Sequence, residues 1–230
     1  MTARPSNNIV IAVVLAAAVI TLGYWGYSVY QKRVLHSEIS AILKNAGAAL
    51  RESLSLEPGP STADRLQLAK QLEDHAMTMD KSIGQLKRLQ VERDLMLADD
   101  AENYLITLRE IMSKRAAANR LYVLHSESLA ALQDHMRADN HTGAWVKQAV
   151  LAKERAEKDF RDYRLTVATY GTLLGTLNST QKKIAPFVDS AALIDEDLLA
   201  KARERAIKTA TQATAAMEKV RQLTTPQYAV

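Results

Sequence analysis

Histidine is the residue type in this sequence best suited to metal binding and acid–base chemistry, and its spacing favours neither. The five histidines are His36, His75, His125, His135 and His141. A metal site on helices requires histidines at positions i and i+4, or Glu-x-x-His pairs on facing helices, and neither pattern occurs. Asp134 and Asp139 lie near the last two histidines, but such a cluster beside a turn is more typical of a solvated loop.

Other kinds of chemistry are excluded by what the chain lacks. It contains no cysteine, so disulfides, thiolate catalysis and thiolate metal sites are impossible. Phosphate-loop, dinucleotide-binding, hydrolase and zinc-protease motifs are absent. Residues 171–175 contain two glycines without the Lys and Ser/Thr of a phosphate loop, so we interpret these glycines as close-packing positions. The sequence therefore predicts that the protein is not an enzyme and implies no cofactor or metal.

Four residues remain as candidates for a ligand site or for polar positions in the core: Arg115, Tyr122, His125 and Glu157. The first three lie on the apolar stripe of one predicted helix, where Arg115 and His125 would line a small anionic-ligand site. The alternative is structural. Arg115 would extend its charged end from the edge of the core, and His125 would pair with a neighbour such as Glu157.

The positive charge of the chain is concentrated beside an apolar N-terminal segment. The 30 Lys and Arg residues against 26 Asp and Glu residues give a net charge of +4. Arg4, Lys32 and Arg33 flank the apolar segment, and without these three the chain has 27 basic and 26 acidic residues. A body that binds nucleic acid needs a net basic face. We therefore predict that nucleic acid is not a partner.

The apolar N-terminal segment predicts a membrane anchor, because no charged residue occurs between Arg4 and Lys32. A helix of about 20 apolar residues crosses the hydrocarbon core, and the aromatic residues at 24–30 are typical of the headgroup level. We predict a short tail over 1–7 and a transmembrane helix over 8–30. A cleaved signal peptide is the alternative, but the apolar run continues past its small-residue cleavage site.

This anchor predicts a single-pass protein of a bacterial inner membrane. Basic residues on the two sides are nearly balanced, but an anchor at the extreme N-terminus acts by default as an uncleaved signal. We therefore expect the body in the periplasm. Small residues at Ala12, Ala16, Gly23 and Gly26 fall on one helix face and would let a second membrane helix approach closely. This face predicts self-association or another protein partner.

The remaining chain predicts an all-α body. Only 8 Gly and 5 Pro occur, and apolar residues keep the spacing of helices throughout. Residues 31–57 are predicted to prolong the anchor as a helical stalk that the Pro-Gly-Pro sequence at 58–60 ends. Residues 61–225 then form an elongated antiparallel four-helix bundle. Whether 62–138 is one helix or two stays open, with 98–102 as the candidate break.

The segment from Asp139 to Gly143 is the clearest turn in the body. It predicts an antiparallel hairpin in which the numbers of facing residues sum to about 282, within one helical turn. That register sets Tyr122 against Phe160. It also pairs His125 with Glu157, and Arg120 with Asp162.

The first functional hypothesis is a membrane-anchored helical bundle that serves as a structural or assembly component of a bacterial envelope complex. The alternative is a periplasmic sensory-type four-helix bundle that binds a ligand and lacks its own signalling domain. A stable protein partner would favour the first hypothesis, and a ligand held between helices would favour the second.

Overall fold

The computed structural model describes residues 7–89, 94–137 and 142–224, and within these ranges it describes the side chains from Val14 onward except those at 220, 223 and 224. Within these ranges the chain forms five α-helices: α1 (Asn7–Ser55), α2 (Thr62–Leu86), α3 (Leu95–Arg137), α4 (Gly143–Ile184) and α5 (Glu196–Thr224). A short 3₁₀ helix (Ser190–Ala192) lies between α4 and α5. No described residue belongs to a β-strand, and the helices pack against one another. The predicted all-α fold is therefore confirmed.

Hydroxyl side chains cap the N-termini of two of the helices. The Ser61 hydroxyl accepts a hydrogen bond from the Asp64 N–H at 3.1 Å, and the Asp64 carboxylate accepts one from the Ser61 N–H at 3.2 Å. This reciprocal pair satisfies two donors at the start of α2 and lowers the pKa of Asp64. Thr142 caps α4 by accepting a hydrogen bond from the Trp145 N–H at 3.3 Å.

Residues 62–138 contain two helices, which answers the question that the sequence left open. The second of them starts behind Asp94, whose carboxylate accepts a hydrogen bond from the Leu97 N–H at 3.3 Å. The candidate break at 98–102 is wrong, because Ala98 is buried within α3. The break between the two helices lies earlier, after Leu86 and before Leu95.

The second half of α1 buries one continuous stripe of apolar residues. Its members recur at spacings of three and four residues, as expected for a helix that buries one face. Each is exposed by 3% or less: Leu35, Ile39, Leu43, Ala46, Leu50 and Leu54. The segment 31–57, which we predicted to project as a stalk, therefore lies within the packed body, where it contacts α2, α3 and the α4–α5 connection.

Helix α3 contributes to each cluster of buried apolar residues described for the bundle. Its first half packs against α1, α4 and the α4–α5 connection. Its second half packs against α4 and α5 around Leu132, Phe160 and Met217. A smaller cluster joins Ala116 to the start of α2. The first of these clusters joins residues of all five helices, so α1 is a full member of the core and the body is not a separate four-helix bundle over 61–225.

Helices α3 and α4 form the antiparallel hairpin that the sequence predicted. Tyr122 packs edge-to-face on Tyr163 with ring centroids 5.7 Å apart, and the His125 ring lies 5.2 Å from the Phe160 ring. The numbers in each facing pair sum to 285, within one helical turn of the predicted register. The hairpin is therefore confirmed, although Tyr122 faces Tyr163 rather than Phe160.

The connection between α4 and α5, residues 185–195, is fastened to the body by polar side chains, and we call it the clasp. Arg51 of α1 donates two hydrogen bonds of 2.8 Å to the carbonyls on either side of Ala192. The Tyr104 hydroxyl of α3 donates to the carbonyl of Ala192 itself at 2.9 Å. Three successive carbonyls are thus satisfied by side chains, as buried backbone groups without a backbone partner require.

The clasp approaches α1 so closely that only glycine fits at the contact. A Cβ atom on Gly47 would lie 2.5 Å from the carbonyl oxygen of Ala192, the oxygen that also accepts the Tyr104 hydroxyl. At the other end of the clasp, the Gln181 side chain donates to the Ile194 carbonyl at 3.0 Å and accepts from its N–H at 3.2 Å. The clasp therefore fixes α1, α3 and α4 to one another.

The structure does not support the transmembrane anchor predicted over 8–30. Among the residues whose side chains are described, no helix is long and apolar enough to cross a membrane. The physical reason is that the strongly apolar part of the described helix is short. Residues 23–30 include two glycines, four aromatic residues and a serine, which lower the mean hydropathy. The predicted single-pass location in an inner membrane, with a periplasmic body, is therefore wrong on this finding. The side chains of 8–13 lie outside the described residues.

The close contact at Gly47 predicts a loss of stability on Gly47→Ala. The added methyl group meets backbone atoms, and overpacking of this kind costs about 1–3 kcal/mol, whereas the better helix propensity of alanine returns at most about 1 kcal/mol. Gly171→Ala in α4 is the matched control, because a Cβ there has no atom within 4 Å. Urea unfolding should show Gly47→Ala destabilised and Gly171→Ala stabilised. Equal stabilisation of both would contradict the contact.

Candidate functional site

Arg115 and Tyr122 line one cavity of about 410 Å³. Its walls come from α3, α4 and α5, and its rim includes the end of α1 and the start of α2. The other two candidates, His125 and Glu157, do not line it. The structure thus brings together two of the four polar residues that the sequence singled out.

Arg115 reaches across the cavity to the C-terminal end of α1. Its two terminal nitrogens donate hydrogen bonds to the carbonyls of Ser53 and Leu56. Carbonyls at a helix end lack partners within the helix, and a cation there interacts favourably with the helix dipole. Burial lowers the pKa of Arg115, and the nearby Tyr170 opposes this shift. The guanidinium nevertheless stays charged, as arginine does in proteins, so its first role is structural.

Arg205 of α5 binds the same end of α1 from another direction. Its Nη2 donates to the carbonyl of Leu54 at 2.8 Å, and its Nη1 donates to the Glu57 carboxylate at 3.1 Å. Two guanidinium groups from different helices therefore converge on one helix terminus. Burial and Arg205 both lower the pKa of Arg115, which is the expected effect of a like charge nearby.

Two tyrosines of α4 form the apolar floor of the cavity. Tyr163 and Tyr170 are exposed by 2% and 5%. Burial raises the pKa of Tyr163 to about 12 and also raises that of Tyr170. Both are therefore neutral hydrogen-bond donors at physiological pH. Neither hydroxyl is hydrogen-bonded to a described residue.

Arg65 of α2 lies at the mouth of the cavity over an aromatic ring. The centre of its guanidinium is 3.8 Å from the centroid of the Tyr122 ring, a typical cation–π contact. One Nη1 bond of 3.5 Å to the Asn119 side chain is long, so most of its donors stay open. Arg65 and Arg205 were not among the residues predicted from the sequence. The signal was present, because each lies at helical spacing from buried apolar residues, as Arg115 does.

The His125 ring is buried between aromatic rings, and the predicted carboxylate partner is not beside it. The residue is 2% exposed, its ring stacks parallel to Tyr163 at 6.4 Å, and neither ring nitrogen has a hydrogen-bond partner within the described ranges. Burial lowers the pKa of His125, while the charge of Asp159 and the backbone carbonyl of Ala156 act in the opposite direction. The ring packs as an aromatic side chain.

The two predicted charge pairs of the hairpin are both wrong. Glu157 lies 3.7 Å from Arg221 of α5 and not beside His125. Arg120 pairs with Glu73 of α2 at 2.6 Å instead of with Asp162. In both cases a helix outside the hairpin supplies the partner.

The predicted small-residue face belongs to an exposed part of α1. Ala16 is exposed, and a Cβ atom on Gly23 or Gly26 would have no neighbour within 4 Å. The side chain of Ala12 lies outside the described residues. In this chain the face is therefore open, and whether a second helix covers it stays a prediction.

No group of three or more His, Asp and Glu side chains in the described ranges is arranged to hold a metal ion. Comparison with known proteins adds no information on function. No protein-family model, no curated protein and no solved structure matches the chain. The cavity and the exposed part of α1 are therefore the two features of the described residues that bear on function.

The unpartnered His125 predicts a pH-dependent stability. Its pKa in the folded protein lies below the ordinary value of 6.5, so the unfolded chain binds the proton more readily. Wild-type stability should therefore fall as the pH drops below 6.5. His125→Phe keeps an aromatic ring and removes both unpaired nitrogens. It should stabilise the protein by about 1 kcal/mol at pH 7.5, since a buried unpaired polar group costs about 1–3 kcal/mol.

The stability gain from His125→Phe should be larger at pH 5.5 than at pH 7.5, as measured by urea unfolding. His75→Phe, at a half-exposed position of α2, is the control and should show no such change. A gain from His125→Phe that is constant between the two pH values would show that His125 does not resist protonation.

Proposed function

We propose that the chain is a non-enzymatic assembly component that binds other proteins through the exposed part of α1, residues 14–30, which we call the extension. One observation carries the proposal. Nine large apolar side chains of the extension are exposed by 61–76%: Val14, Leu15, Val19, Ile20, Leu22, Tyr24, Trp25, Tyr27 and Tyr30. A contiguous apolar surface of this kind marks an interaction site.

The extension is joined to the core without a break. Helix α1 runs continuously from Asn7 to Ser55, and its second half is buried in the body. A protein bound to the extension is therefore held in a fixed position relative to the bundle. This rigid connection suits an assembly component better than a flexible tether would.

A second copy of this chain is the partner that the extension fits best. The extension contains no charged residue, so two copies would meet without like-charge repulsion. Ala16, Gly23 and Gly26 leave room for a second helix backbone, since nothing lies near either glycine. Two extensions packed along these small residues would cover each other's apolar surface.

Single cysteines test this proposal, because the chain has none of its own. Gly23→Cys places a thiol on the small-residue face, and Thr21→Cys places one on the opposite face of the same helix. Mild oxidation of the full-length protein should link Gly23→Cys into disulfide dimers and leave Thr21→Cys largely monomeric. Ala16→Glu should abolish the dimer, because association would bury an unpaired charge.

Sedimentation equilibrium of the unmodified chain provides the independent measurement. Dimers at micromolar concentration are expected, and the Ala16→Glu variant should be monomeric. A monomeric wild-type protein, or equal crosslinking at positions 21 and 23, would contradict self-association through the extension.

A further inference from the structure

The cavity beside the end of α1 is lined by more basic than acidic side chains. Its lining includes four cations, Arg65, Arg115, Arg205 and Lys208, and a single acid, Glu57. Partial desolvation strengthens electrostatic interactions, so the positive charge is felt more strongly there than on an open surface. No described acid other than Glu57 lines the cavity to offset it.

The four cations form two groups, according to whether their N–H donors are already hydrogen-bonded within the protein. Arg115 and Arg205 are committed to the end of α1 and to Glu57, so they supply a fixed positive potential. Arg65 keeps most of its donors open, and Lys208 forms no ion pair with a described residue. The open cations are therefore those at the mouth.

Neutral donors and an apolar surface complete the site. The hydroxyls of Tyr163 and Tyr170 are unpaired among the described residues. Burial raises the pKa of each tyrosine, and the positive charge of a nearby arginine acts in the opposite direction. Arg65 acts on Tyr163, and Arg115 acts on Tyr170. Tyrosine rings, together with Val167 and three alanines, form the walls. Small-molecule sites combine mainly apolar walls with a few convergent polar groups, in volumes of about 300–1,000 Å³.

We propose that this cavity binds a small organic anion, with its carboxylate held by Arg65, Lys208 and the Tyr163 hydroxyl. The planar apolar part of the molecule lies against Tyr170 and Val167. The proposal is independent of the assembly proposed for the extension, because no residue of 14–30 lines the cavity.

Calorimetric titration of the full-length protein tests the proposal with three probes. Benzoate is an aromatic carboxylate, benzamide is its neutral analogue, and inorganic phosphate is an anion without an apolar part. Benzoate should bind, and the other two should bind at least about tenfold more weakly. Tight binding of benzamide would overturn the requirement for an anion, and phosphate binding as tight as benzoate would overturn the aromatic component.

Two variants locate the binding. Arg65→Gln should weaken benzoate binding at least about tenfold, since a charge-assisted bidentate contact is lost. Arg120→Gln is the matched control, because it removes the same charge from an exposed position outside the cavity, and it should change the affinity less than twofold. Tyr163→Phe keeps the ring and should weaken binding about threefold or more, with an unchanged circular dichroism spectrum.

No benzoate binding at millimolar concentration, or equal weakening by Arg65→Gln and Arg120→Gln, would overturn the site.

Discussion

The structure depends on how the C-terminal end of α1 is held inside the body. The carbonyls that this helix end leaves unpaired receive hydrogen bonds from Arg115 and Arg205, two guanidinium groups carried by different helices. Both sides of this arrangement need each other. The carbonyls would be costly to bury unpaired, and so would the arginines. Their mutual satisfaction allows a helix end to lie where α1, α3 and α5 meet, and it leaves the positive cavity beside them.

The clasp provides a second set of polar contacts that holds α1 in the body. Arg51 and Tyr104 satisfy carbonyls in the connection between α4 and α5, and Gly47 lets that segment lie against the α1 backbone. Helix α1 is thus held by polar contacts at two levels, with an apolar stripe between and around them. This explains why a helix whose first part is exposed can be a core helix in its second part.

Features set by local rules were predictable from the sequence. Helix periodicity and the Ser61 cap depend on residues a few positions apart. The turn predicted at 139–143, of which 139–141 lie outside the described residues, placed the hairpin register within one helical turn of the observed one. Partner choice was not predictable. Arg120 and Glu157 each had an acceptable partner within the hairpin, but Glu73 and Arg221 on other helices lie closer. With five helices, an edge residue faces two neighbours, and one sequence periodicity does not say which one it meets.

The contact at Gly47 also sets the rotation of α1 about its own axis. If the helix turned by one residue, a side chain would take the place of Gly47 against the Ala192 carbonyl, and the clasp could not close. Gly23 lies about 36 Å farther along the same uninterrupted helix, at about 1.5 Å per residue. The azimuth of its open face is therefore set by a contact deep in the body. Because the helix is continuous, a change in its rotation at Gly47 would turn the open face at Gly23 by the same angle.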